Sequence, residues 1–176
     1  MLDSNALCEL VSPGQAPSVA NAEQILHAAE LSAAATATIA PEARQVIDAC
    51  RSSGRKVVLF STHSSDAVEA VLGLSGLRPL VGPVIGRNHV TAISWDFRAI
   101  ADLVRVTVQE TDEQPANCAV VGLSVATMYA ARETGARGIG VVNEHANRKH
   151  LAIFDAAVVG SLPALAAALT TVPPNV

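Results

Sequence analysis

The chain has 176 residues and a formal net charge of −4; half of its residues are apolar and 16% are charged. This length is typical of one domain with a proper core. The charge excludes nucleic-acid binding through a broad positive surface, because no basic run is longer than residues 147–150. No apolar run approaches the roughly 20 residues of a membrane span, and no basic segment followed by an apolar run opens the chain. We therefore expect a soluble cytoplasmic protein that binds neither nucleic acid nor membrane.

Apolar runs typical of buried strands alternate with segments of helical spacing along the whole chain. Strands are predicted over residues 6–11, 56–61, 118–122, 138–142 and 156–159, with a short strand or extended loop over 80–85. Helices are predicted over residues 18–38, 41–53, 64–73, 97–110, 125–133, 147–154 and 162–169. The first helix carries apolar residues at helical spacing, namely Val19, Ile25, Leu26, Ala29 and Leu31. This order predicts an α/β fold with a single doubly wound parallel sheet and no domain-sized linker.

Two segments carry a specific likeness to a known family. The strand Lys56–Ser61 with Thr62, followed by a helix capped at Ser64, resembles the second motif of haloacid dehalogenase-like (HAD) phosphatases, where a Ser or Thr binds the transferring phosphoryl group. The segment 118–140 is similar to the fourth motif, V-G-D-S-x-x-D-x-x-A-A-x-x-A-G. The matching residues of that motif are Gly122, Ser124, Ala130, Ala131 and Gly135. The resemblance runs from about residue 6 to residue 169 and implies a Rossmann-like HAD core.

The carboxylates that the family's chemistry requires are missing from these motifs. Magnesium prefers oxygen ligands, and phosphoryl transfer needs charge neutralisation at the reacting oxygens. Aligned on the first motif, Val11 takes the position of the nucleophilic Asp and Pro13 that of the acid/base Asp. Leu123 and Ala126 take the two metal-binding Asp positions of the fourth motif, and Ser94 falls where the third motif has Lys. We therefore expect no metal site and no cofactor.

A second register of the first motif stays open. It places Asp3 at the nucleophile position and Asn5 two residues on, which keeps one carboxylate but leaves too few preceding residues for a central strand. The cap that controls access in this family is expected to be reduced to one or two helices within about residues 15–40. One HAD-like domain would then span residues 1–176.

The candidate catalytic residues are those that keep a hydroxyl, imidazole or carboxylate near the predicted crevice. Open parallel sheets bind ligands at the carboxyl ends of their strands, and His is a proton-transfer group at neutral pH. The catalytic candidates are Ser61, Thr62, His63 and Asp96. The candidate ligand-binding residues are Val11, Pro13, Ser61, Thr62, Ser94, Trp95, Arg98, Leu123, Ser124 and Ala126.

Three functions are compatible with these residues. The first is a HAD-like protein without magnesium-dependent phosphoryl transfer that binds a small uncharged ligand or a protein partner, as a homo-oligomer. The second is an enzyme repurposed for metal-independent chemistry on a hydrophobic metabolite in the former HAD crevice. The third, residual phosphatase activity, requires Asp3 as the nucleophile.

Overall fold

The computed structural model describes residues 19–87, 97–144 and 147–171. The predicted first strand, at residues 6–11, lies outside these ranges. Seven α-helices occur in the described part of the chain: α1 Val19–Ala34, α2 Pro41–Ser52, α3 Ser65–Leu74, α4 Phe97–Gln109, α5 Val125–Thr134, α6 Arg148–Leu151 and α7 Leu162–Thr171. The strands there are β1 Leu59–Phe60, β2 Val84–Ile85, β3 Ala119–Gly122, β4 Arg137–Val141 and β5 Ala157–Val159.

Every strand pair in the described ranges is parallel. Strands β1 and β2 form a two-stranded sheet, and β3, β4 and β5 form a three-stranded sheet in that order. The predicted parallel α/β architecture is therefore confirmed. The predicted first strand lies outside the described residues, so the two sheets are those of the described strands alone.

Strands β1 and β2 are shorter than the predicted runs 56–61 and 80–85. Pro83 has no N–H and cannot extend the ladder as a donor, although its carbonyl accepts a hydrogen bond from the Leu59 amide at 3.1 Å. Backbone hydrogen bonds still flank the ladder, from Gly82 N to Val57 O at 2.7 Å and from Ser61 N to Ile85 O at 2.9 Å. The two segments thus run side by side over most of the predicted length.

Helices cover both faces of the β1–β2 sheet. Successive strand residues point to opposite faces of a sheet, so Leu59 and Phe60 pack against different helices. Leu59 packs with Ile47 of α2 and Leu72 of α3 on one face. Phe60 packs on the other face, against a cluster that includes Val104 of α4 and Val120 of β3. This second cluster therefore contains residues of both sheets, Phe60 of β1 and Val120 of β3, packed together with Val104 of α4.

The three-stranded sheet packs against α5 and α6. Ser124 caps α5 at its N-terminus, and Gly135, with φ +78°, ends it. Met128 of α5 and Leu151 of α6 are fully buried in one cluster. The predicted helix 147–154 stops at Leu151, because Phe154 takes a left-handed φ of 67° that an α-helix does not accommodate.

Two large apolar residues of helix α1 lie on its exposed side. Ile25 and Leu31 are exposed, at 54% and 38%, whereas Glu30 is buried. Helix α1 packs against α3, and its polar side faces this contact. None of the helices described has both the length and the apolar character needed to cross a membrane.

Gly86 marks the closest approach between β2 and α3. A Cβ added at Gly86 would lie 2.1 Å from the backbone nitrogen of Ser65 and 2.7 Å from its Cα. Backbone atoms cannot yield as a flexible side chain does, so only glycine fits between the end of β2 and the start of α3.

We predict that Gly86→Ala lowers the free energy of unfolding by about 1–3 kcal/mol or more, because the methyl group overpacks this contact. Gly73→Ala is the matched control: nothing lies within 4 Å of its Cβ position, and alanine in a helix adds about 0.5–1 kcal/mol. Urea unfolding of both variants measures the difference. An unchanged stability of Gly86→Ala would contradict the close approach.

Candidate functional site

The segment after β1 contains three of the four candidate catalytic residues. The Ser61 hydroxyl accepts a hydrogen bond from the His63 backbone N–H at 3.1 Å, a local turn contact of the kind that serine often makes. The Thr62 carbonyl accepts one from Arg87 Nη1 at 3.2 Å. Both Ser61 and Thr62 are half-buried. The strand end is thus tied into a turn by its own hydroxyl and backbone groups.

Arg87, two residues after the end of β2, forms hydrogen bonds with this turn. Its backbone N–H donates to the His63 carbonyl at 2.8 Å. The guanidinium is buried and donates from Nη1 to Glu30 Oε1 at 2.6 Å and from Nη2 to Glu23 Oε1 at 2.7 Å. Arg87 therefore connects α1 with the ends of both strands.

The Glu30 carboxylate accepts hydrogen bonds from three groups around it. Besides Arg87, the Ser64 backbone N–H donates to Oε2 at 2.9 Å, and His63 Nδ1 lies 3.1 Å from Oε1. Burial by itself raises the pKa of Glu30, but the hydrogen bonds from Arg87, Ser64 and His63 together outweigh it and hold the pKa below its ordinary value. Glu30 is thus a buried ionised carboxylate at the N-terminus of α3, where the helix dipole also favours negative charge.

His63 is the most accessible member of this group. Its side chain is 67% exposed, and its contact with Glu30 is through Nδ1. A carboxylate at Nδ1 favours the tautomer with the proton on Nδ1 and leaves Nε2 as a proton acceptor. His63 is therefore oriented by a buried group while most of its surface faces solvent.

Three further described candidates lie at the end of β3. Leu123 is 52% exposed, and its carbonyl accepts a hydrogen bond from Asn143 Nδ2 at 3.3 Å. The Ser124 hydroxyl accepts the Thr127 N–H at 3.2 Å as the N-cap of α5. Ala126 is half-buried in the first turn of that helix. This strand end presents an apolar side chain and a hydroxyl engaged in capping.

One more candidate within the described residues lies away from these two strand ends. Arg98 is exposed in the first turn of α4. Val11, Pro13, Ser94, Trp95 and Asp96 lie outside the described residues, as do Asp3 and Asn5 of the alternative register. Across the described ranges, no group of three or more His, Cys, Asp or Glu residues is placed to hold a metal ion.

Glu30 and Arg87 were not among the sequence candidates. A signal for Glu30 was present: the charged or ionisable residues of α1 are Glu23, His27 and Glu30, at spacings of four and three. Such spacing places them on one helix face. His27 Nε2 lies 3.5 Å from Asp66 Oδ2 of α3, so this face is the one that meets α3. Arg87 carries no comparable local pattern.

The fold has clear counterparts among solved structures. CbbY from Rhodobacter sphaeroides, solved in complex with phosphate, matches with a TM-score of 0.70 at 18% identity, covering 90% of this chain and 70% of that one. A haloacid dehalogenase-like family hydrolase from Streptococcus pneumoniae gives 0.68 at 14%, covering 93% and 74%. A HAD phosphatase from Thermococcus onnurineus gives 0.60 at 19%, covering 75% and 58%.

The chain has the HAD-superfamily fold. At these identities the likeness shows the fold alone. No protein-family model matches the sequence, and no curated protein matches it at a significant level.

We predict that Glu30→Gln is less stable than the wild type at neutral pH by about 1–3 kcal/mol, the usual cost of weakening buried hydrogen bonds to a charged group. Because the folded pKa of Glu30 is lowered, its contribution is complete above the ordinary value of 4.5 and is lost as pH falls through the folded value. The difference between the two proteins should therefore shrink in acid.

Urea unfolding from pH 7 to pH 3 measures this difference. Glu69→Gln, which alters an exposed pair with Arg78, is the control and should stay within about 1 kcal/mol of the wild type. A difference for Glu30→Gln that does not change with pH would contradict the assignment of Glu30 as a stabilising carboxylate.

Proposed function

We propose that this protein uses the HAD fold to bind a small uncharged ligand or a protein partner, and that it does not catalyse magnesium-dependent phosphoryl transfer. The observation that carries the proposal is Leu123, an apolar side chain more than half exposed at the carboxyl end of β3. By resemblance this is a position where HAD phosphatases place a metal-binding aspartate. A leucine cannot ligate magnesium, whereas it favours contact with an apolar surface.

The start of α5 supports the same proposal. Counted along the motif from Gly122, the second metal-binding position falls at Thr127, one residue after the Ala126 of the sequence alignment, and neither residue carries a carboxylate. The Ser124 hydroxyl, which matches the family motif, lies 3.0 Å from the Thr127 hydroxyl and accepts the Thr127 amide. The fourth motif thus keeps the residues that build the strand–helix turn and lacks those that bind metal.

The charges at the end of β1 also disfavour a phosphate ligand. Two carboxylates, Glu23 and Glu30, surround one guanidinium, that of Arg87. The carboxylates outnumber the guanidinium, and their negative charge repels a phosphate dianion at short range. An uncharged ligand is not opposed in this way.

The domain organisation forms part of the proposal. We infer one HAD-like domain over residues 1–176 with a minimal cap, of which α1 is the described helix within residues 15–40. Helix α1 is joined to the core by ion pairs, and Ile25 and Leu31 lie on its outer side. We also propose that the protein forms a homo-oligomer.

The test measures an apolar probe and magnesium chemistry on the same protein. Nile red, an uncharged dye, is expected to bind, and Leu123→Asp is expected to weaken that binding because a carboxylate replaces the apolar contact. Leu74→Asp alters another exposed leucine, 67% exposed at the end of α3, and is the matched control. Fluorescence titration gives the affinities; equal weakening by the two substitutions would count against a ligand at β3.

In the same preparation, p-nitrophenyl phosphate with magnesium is expected to show no turnover above that of the buffer. Magnesium-dependent hydrolysis that disappears in Asp3→Asn would overturn the proposal and establish the third function, with Asp3 as nucleophile.

One contact favours the second function, a metal-independent enzyme acting on a hydrophobic substrate. The His63–Glu30 pair joins a solvent-facing imidazole to a buried carboxylate at 3.1 Å, an arrangement suited to a general base. For such an enzyme we expect EDTA-insensitive hydrolysis of p-nitrophenyl butyrate that His63→Ala abolishes and His27→Ala retains. If both variants retain wild-type rates, His63 is not a catalytic residue for this reaction.

A further inference from the structure

Three donors around Glu30, from two separate segments of the chain, form a small anion-binding arrangement. They are the buried Arg87 guanidinium at 2.6 Å, the Ser64 backbone N–H at 2.9 Å and His63 Nδ1 at 3.1 Å from the carboxylate oxygens. We call these three groups the anion cradle. Arg87 and Ser64 are both buried, so the cradle is shielded from competing water.

The anion in the cradle comes from a different element. Glu30 is supplied by α1, whereas the donors follow β1 and β2. Both oxygens of the carboxylate are engaged, Oε1 by Arg87 and His63 and Oε2 by Ser64. Such two-sided, charge-assisted recognition is how proteins bind free carboxylates.

We propose that Glu30 is an internal ligand: its carboxylate occupies the anion cradle and thereby fastens α1 across the carboxyl ends of β1 and β2. The cradle has the chemistry of a carboxylate-binding site, kept closed by the chain's own side chain. This inference concerns the β1–β2 end and is independent of whether the protein turns over phosphate esters.

The first experiment is chemical rescue of Glu30→Ala by acetate. Truncation removes the internal anion, and acetate can then accept hydrogen bonds from Arg87, Ser64 and His63 in its place. Added acetate is therefore expected to raise the thermal midpoint of this variant. Sodium chloride at equal ionic strength and Glu69→Ala are the controls, neither of which should show a comparable rise. The double variant Glu30→Ala/Arg87→Met should lose the acetate response, because the principal donor is gone.

If acetate raises the thermal midpoint of the wild type equally, or does not raise that of Glu30→Ala, the proposal that the cradle binds a carboxylate is overturned. If Glu30→Ala does not fold, Glu30→Gln supplies the second measurement. Hydrogen exchange of the Ser64 amide should be about tenfold faster or more in Glu30→Gln, as expected when a hydrogen bond to a charged acceptor is weakened.

The same hydrogen-exchange data test separately whether Glu30 holds α1 in place. Amides of α1 should exchange faster in both Glu30→Gln and Glu30→Ala. In Glu30→Ala, acetate should restore the protection of the Ser64 amide but not that of α1, because free acetate is not covalently attached to the helix. Wild-type protection of α1 in both variants would refute the fastening role.

Discussion

The buried ion pair between Glu30 and Arg87 holds together the parts of the molecule that surround the candidate site. Removing two charges from water is costly, and the cost is offset only where geometry is good and the remaining hydrogen-bonding capacity is used. Here Arg87 is shared by Glu30, Glu23 and the Thr62 carbonyl, and Glu30 is completed by Ser64 and His63. The pair therefore depends on the correct placement of α1 and of both strand ends at once.

This constraint explains why the end of β1 looks more structural than catalytic. The Ser61 hydroxyl closes a turn, the Thr62 carbonyl binds Arg87 and Ser64 caps α3. Gly86 is required because the end of β2 passes directly against the start of α3. The Ser61 hydroxyl, the Thr62 carbonyl and the Ser64 hydroxyl therefore keep the two strand ends and α3 in place. His63 differs, since its ring stays largely exposed while Glu30 orients it.

Much of the fold could be predicted from local patterns. The apolar runs at β3 and β4 and the capping serine Ser64 are signalled by a few neighbouring residues. Element ends were less predictable where they depend on partners: β1 and β2 are short beside Pro83, and α6 ends before Phe154. Helix α1 was assigned correctly as a helix, but the local pattern does not show which side it buries. Ile25 and Leu31 are exposed, whereas the contact with α3 buries Glu30.

The sequence by itself determined the alternation of strands and helices and the absence of carboxylates at Leu123 and Ala126, because both depend only on which residues stand at which positions. It also placed Ser61, Thr62 and His63 at a strand end. Only the tertiary structure decided that Glu30 and Arg87 meet, since 57 positions separate them and a buried ion pair leaves no periodic trace in either segment. The same holds for Gly86, whose necessity arises from the backbone of α3 lying against it rather than from its own neighbours in the chain.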